Sequence, residues 1–162
     1  AATPILRRDA ITVQNDVNQR IVPGITTLTN DVNAFPSSGL AGSVAIHTDF
    51  QNLISSVNHA TTDTNSAGSL DDESGAAILN SLQAVPPSLS NLLGALGTEV
   101  SAWSAVPGGA SLILGDLQSL NTASDNFADA LTTNGPASIS DQVAAIKTFI
   151  DNSFTYTEAA FS

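Results

Sequence analysis

Residues 78–103 read ILNSLQAVPPSLSNLLGALGTEVSAW, and their apolar positions decide what kind of chain this is. Ile78, Leu82, Val85, Leu89, Leu92, Leu96, Val100 and Trp103 follow at three- and four-residue steps. That spacing keeps side chains on one face of an α-helix, whereas a strand would alternate every second residue. The stripe keeps its phase through Pro86-Pro87, so the segment is predicted to be one bent helix or two nearly collinear ones, ending at Pro107-Gly108-Gly109. Upstream, Ser69 with Asp72 three residues on fits a capping pattern, and Asp71, Asp72 and Glu73 suit the positive end of a helix.

The same spacing extends outward in both directions. Thr3-Pro4 reads as an N-cap with proline at the first helical position, and Ala10, Val13, Val17, Ile21, Leu28 and Val32 then share a face. Pro23-Gly24 should kink this first helix without ending it. After the turn Phe35-Pro36-Ser37-Ser38-Gly39, a second stripe runs Leu40, Val44, His47, Ile54 and Val57, flanked by Phe50 and Leu53, and stops in the polar stretch 61–68. The fourth stripe is Ile113, Leu117, Leu120, Ser124, Phe127 and Leu131, closed by Asn134-Gly135-Pro136. A fifth begins at Ser138 and Asp141 and carries Ile139, Val143, Ile146, Ile150, Ser153 and Thr157. The expected fold is all-α: a five-helix up-and-down bundle about 35 Å long, with kinked long helices and a central apolar cavity.

Composition narrows the function. The 162 residues suit one domain, 1–162, with a full core. Only 12% are charged, about half the usual share for a soluble domain. Apolar stripes this continuous must be hidden, and they can enclose a cavity as readily as a solid core. The net charge is −11 and Lys147 is the single lysine, so nucleic acid and anionic membrane surfaces would be repelled. No apolar run reaches the roughly 20 residues needed to cross a bilayer. Methionine is absent even at position 1, so the expectation is a mature or excised piece whose start codon and any signal peptide lie outside it. Cysteine is absent too, which removes disulfides and thiolate metal sites. No Asn-x-Ser/Thr sequon occurs, so any sugars on a secreted form would be O-linked.

Three segments carry a family likeness: RDAITVQNDVNQRIVPGITTLTNDVNAF (8–35), SSGLAGSVAIHTDFQNLISSVNHATTDT (37–64) and SISDQVAAIKTFIDNSFTYTEAAF (138–161). They resemble the fungal hydrophobic surface-binding protein A family, which includes the antigenic cell-wall galactomannoproteins. The resemblance covers the whole chain and rests on helix lengths, stripe spacing and a Lys-poor, Ser/Thr/Asn/Ala-rich texture. It implies an all-helical, secreted or cell-wall domain. In the mannoprotein branch it implies sequestration of a palmitate- or arachidonate-class fatty acid in a central tunnel, in a context of virulence. In the other branch it implies adsorption to hydrophobic solids with recruitment of a hydrolase, or a structural wall role.

The stripes alone supply the candidate site, since the family has no tight motif to transfer. The tunnel lining is expected from Val17, Ile21, Leu28, Val44, Ile54, Leu82, Leu92, Leu96, Leu117, Leu120, Phe127, Val143, Ile146 and Ile150. The Pro23-Gly24 and Pro86-Pro87 kinks would bow helices outward to make room. Polar residues standing where a stripe calls for an apolar one are candidate contacts for a carboxylate head: His47, Gln51, Ser124, Ser153 and Thr157. The plainer alternative is that the hydroxyls bond back to their own helix and His47 is a satisfied, half-exposed histidine.

Other chemistry finds little support. Asp63-x-Asn65-x-x-Gly68 starts like a calcium loop, but Ser74 stands where a bidentate Glu is required. His47 and His59 lie twelve apart and are not a chelating pair. No nucleophile elbow, phosphate loop or nucleotide fingerprint occurs. The expectation is therefore a non-enzymatic protein without metal or cofactor, whose partner is a long-chain fatty acid or similar lipid, acting as a monomer or weak dimer.

Overall fold

A computed structural model of the chain describes residues 7–162, and the expected Thr3-Pro4 helix start lies outside them. Among the described residues every regular element is a helix. Arg8–Asn15 (α1), a π-helical turn over Asp16–Ile21 and Val22–Ala34 (α2) run on as one rod. Pro23 explains the π turn: it offers no amide hydrogen to the carbonyl of Gln19, and its ring would strike that carbonyl in a regular helix. Widening the preceding turn by one residue relieves both problems.

The second helix, α3, spans Gly39–Ala67, and Gly68 ends it at φ 67°, a conformation only glycine adopts freely. In its polar last turns Thr61, Thr62 and Thr64 donate to the carbonyls of Val57, Asn58 and Ala60 at 3.2, 3.2 and 2.7 Å, so their hydroxyls are satisfied within the helix itself. Its buried face is Ser43, Ile46, Phe50, Leu53, Val57, Ala60 and Thr64, rotated from the expected stripe. Leu40 and Val44 are 71% and 60% exposed. Three small or polar residues on the true face disguised it.

The third expected helix is two. Asp72–Leu82 (α4) and Val85–Gly97 (α5) are separated at Gln83-Ala84. Pro86 and Pro87 fall in the first turn of α5, where no amide hydrogen is needed, so they start a helix instead of bending one. Val100–Ser104 (α6) is a short turn before α7, Gly109–Asn134. A 3₁₀ turn over Ala137–Ile139 leads into α8, Ser140–Phe161. Counting the rod once and leaving α6 aside, there are six helices, not five. The α4 cap also moves: Asp71, not Ser69, accepts from the Ser74 amide at 2.7 Å. Asp71→Ala is expected to cost about 1 kcal/mol, read as a Tm lower by about 2–4 °C. An unchanged Tm would show that the cap contributes nothing.

The elements close into a ring of five staves: the rod, α3, α7, α8, and α4 with α5, which packs back on the rod. Chain direction alternates from stave to stave along the sequence, yet ring order departs from chain order. α3 and α7 are neighbours that run parallel, as the same 69-residue offset in His47–Asp116 and Asn65–Asn134 requires. Phe35 and Trp103 stack at 4.4 Å beneath one end of the ring. At the other end the Leu70 amide donates to the Asn134 carbonyl at 2.7 Å, and Ser138 donates to Asp72 at 2.8 Å.

Candidate functional site, an apolar slot inside the ring

Every stave contributes to a narrow slot with a free volume of about 50 Å³. Of its seventeen lining residues, fourteen are apolar, running from Ile21 and Ile25 on the rod through Leu53 and Val57 of α3 to Val143, Ile146 and Ile150 of α8. Apolar cavities walled this way stay dry, so the space suits an apolar guest better than water. The three polar residues are Ser124 and Asp125 on α7 and Lys147 on α8. The Lys147 side chain is 36% exposed, which makes this side the slot's opening to solvent.

The opening has an unusual charge balance. Lys147 Nζ lies 3.0 Å from Asp129 Oδ1, and that carboxylate raises its pKa. Burial first, and the neighbouring Asp151 carboxyl second, push Asp125 up to about 7. Near neutral pH Asp125 therefore carries a proton much of the time and can donate it in a hydrogen bond. Ser124 spends its hydroxyl on the Leu120 carbonyl at 2.8 Å.

Of the expected lining, Ile21, Leu82, Leu120, Phe127, Val143, Ile146 and Ile150 border the slot, as does Ser124. Val17, Leu28, Leu92, Leu96 and Leu117 are fully buried in the surrounding core. Ile54 borders a shallow outer groove between α3 and α7, and Val44 faces solvent. His47 Nδ1 sits 2.8 Å from Asp116 Oδ2 across the α3–α7 seam, and Gln51 is exposed. Burial raises the Asp116 pKa against the opposing pull of His47. Ser153 and Thr157 border a groove between α5 and α8 and donate to the carbonyls of Phe149 and Ser153 at 2.8 and 3.2 Å.

Sequence reading passed over Ile25, Leu53, Val57, Val85, Leu89, Ala128 and Leu131, and with them Asp125 and Lys147. Ile25 continues the rod's stripe four residues after Ile21, and Lys147 directly follows Ile146. Those were the available signals.

A ring of helices around an apolar slot, with its few polar groups gathered at one opening, is the architecture of small all-helical binding domains. The chain belongs to the hydrophobic surface binding protein A family, whose description matches residues 10–133. Among solved structures, AfMP4p in complex with palmitic acid is 28% identical, with a TM-score of 0.89 over 94% of this chain and 99% of that one. Ligand binding domain 1 of the Penicillium marneffei MP1 protein, complexed with arachidonic acids, is 16% identical, with a TM-score of 0.84 over 94% and 99%. Domain 2 of the same protein, complexed with multiple arachidonic acids, is 13% identical, with a TM-score of 0.84 over 98% and 99%. At those identities the MP1 domains share the fold. No curated protein sequence matches the chain. No described helix is long and apolar enough to cross a membrane.

Proposed function

We propose that this domain is a non-enzymatic carrier that sequesters a long-chain fatty acid, acting as a secreted or cell-wall module. The acyl chain occupies the slot, and its carboxylate rests at the opening beside Lys147 and Asp125. The observation that carries this reading is the grouping of all three polar lining residues on one side of an otherwise apolar space. The likeness to AfMP4p, whose crystal structure holds palmitic acid, supports the choice of guest. Burial of about fourteen methylenes supplies on the order of 11 kcal/mol before the costs of immobilising the guest. That is enough for micromolar binding without a strong charged anchor. The guest spreads the staves as it enters, which consumes part of this energy.

Native mass spectrometry of delipidated protein with palmitate or arachidonate tests the reading. One saturable ligand per chain is expected, and absence of any complex at micromolar concentration would overturn it. Lys147→Gln is expected to weaken palmitate about two- to fivefold and to leave hexadecanol binding unchanged. Equal effects on both ligands would remove the carboxylate from that opening. A second reading, adsorption to hydrophobic solids, is favoured by exposed Leu40, Val44, Phe149 and Tyr156. It predicts depletion onto apolar beads without saturation at one ligand per chain.

A further inference from the structure

Asp16, the first residue of the π turn, lies against α3, where His59 and Asp63 stand one turn apart on the same face. His59 Nε2 lies 3.1 Å from Asp63 Oδ2 and 3.9 Å from Asp16 Oδ1, and one ligating atom from each residue falls within 4.8 Å of the others. Asp16 is only 5% exposed. Its Oδ2 and that of Asp63 are buried without a hydrogen-bond partner. A buried carboxylate, Asp16, facing a half-buried one, Asp63, with unused lone pairs on both is unfavourable unless a cation or a proton sits between them. None of the three residues borders the slot.

The geometry points to a divalent-cation site of the zinc class formed by Asp16, His59 and Asp63. Ligands around tetrahedral zinc stand about 3.3 Å apart, close to the shorter of the two separations here, and His59 is half-exposed, which gives an ion an entry path. One imidazole nitrogen and two carboxylate oxygens match zinc and its first-row neighbours, whereas calcium needs six to eight oxygens. Three protein ligands leave a fourth position for water. Asp16 opens the π turn three residues after buried Val13, and such turns recur at functional sites. The sequence holds no second histidine at chelating distance from His59; the partner at that spacing is the aspartate Asp63, and Asp16 comes in from the rod.

The test is titration of the metal-free full chain with Zn²⁺ alone, followed by calorimetry and by Tm. The expected result is one Zn²⁺ per chain, saturating below about 100 µM, with a rise in Tm. His59→Ala and Asp63→Asn should each weaken binding at least about tenfold, while His47→Ala leaves it unchanged. Both substituted positions lie on one exposed side of α3, and circular dichroism confirms that the variants remain helical. Loss of affinity in His47→Ala equal to that in His59→Ala would overturn the site. So would several weak ions per chain indifferent to His59→Ala, or no saturable binding. Palmitate uptake is measured in parallel, so the site stands or falls independently of the slot.

Discussion

Ile146→Trp is expected to weaken palmitate binding at least about tenfold while shifting Tm by no more than about 3 °C. Ile146 is half-buried and borders the slot, so an indole there fills space that the folded protein leaves open, and little else has to move. Leu117→Trp is the contrast. Leu117 is fully buried and stands outside the slot, where an enlarged side chain forces neighbours off their rotamers at a cost of typically 1–3 kcal/mol. That variant should melt several degrees lower, by about 2–4 °C per kcal/mol, and still bind palmitate. If Ile146→Trp binds as well as the parent, the guest lies elsewhere. If both variants lose stability equally, the slot is ordinary core.

Raising the pH from 5 to 8 is expected to lower Tm by about 10 °C, the opposite of the acid sensitivity common among proteins. Asp16 beside Asp63, Asp49 beside Asp31, and Asp125 beside Asp151 are each pushed up to about 7, by burial first and by the neighbouring carboxylate second. Burial takes Glu99 to about 7 against the opposing pull of Trp103. A carboxyl whose folded pKa lies above its unfolded value holds a proton that the unfolded chain has released. Stability therefore falls as pH climbs from about 4 to about 7 and levels off beyond. Asp71 works in the other direction, but its pKa is lowered below the ordinary value, outside this window. The raised Lys147 pKa changes nothing between pH 5 and 8. Each three-unit shift sets a ceiling of about 4 kcal/mol. Partial exposure screens most of that, so a sum of a few kcal/mol, at about 2–4 °C each, gives the stated Tm change.

Scanning calorimetry in the presence of a chelator checks it. Asp49→Asn removes one pair and should flatten the profile, whereas exposed Asp141→Asn should not. A Tm that is constant or rising between pH 5 and 8 would refute the account.

Helix type and the alternation of direction were legible because the stripes of α7 and α8 are built from large aliphatic residues that leave only one phase open. α3 was misread by about one residue because Ser43, Ala60 and Thr64 occupy its inner face while Leu40 and Val44 lie outside. Hydrophobicity alone cannot distinguish a small buried residue from a surface one. The α4–α5 segment stayed open between one bent helix and two nearly collinear ones, because a stripe in phase across Pro86-Pro87 reports only that both helices bury the same side. For the slot, the stripes identified buried faces but could not say which buried residues line an open space. Val17 and Ile21 look alike in sequence, and only the packing of the facing staves separates them. Asp125 and Lys147 were passed over because charged residues read as surface, whereas an opening needs some.

The interruption at Gln83-Ala84 gives the wall a mechanical character that its other staves lack. Pro86 and Pro87 donate no amide hydrogen, and the Gln83 and Ser88 amides reach their carbonyls only at 3.4 Å. Leu82 and Val85, on either side, both border the slot. Tilting α5 outward thus breaks few backbone bonds and leaves the remaining staves whole. If the slot takes an acyl guest as proposed, compliance concentrated in this one joint would let the interior accept guests of different girth, and amide exchange should be fastest there and slow when a guest is inside.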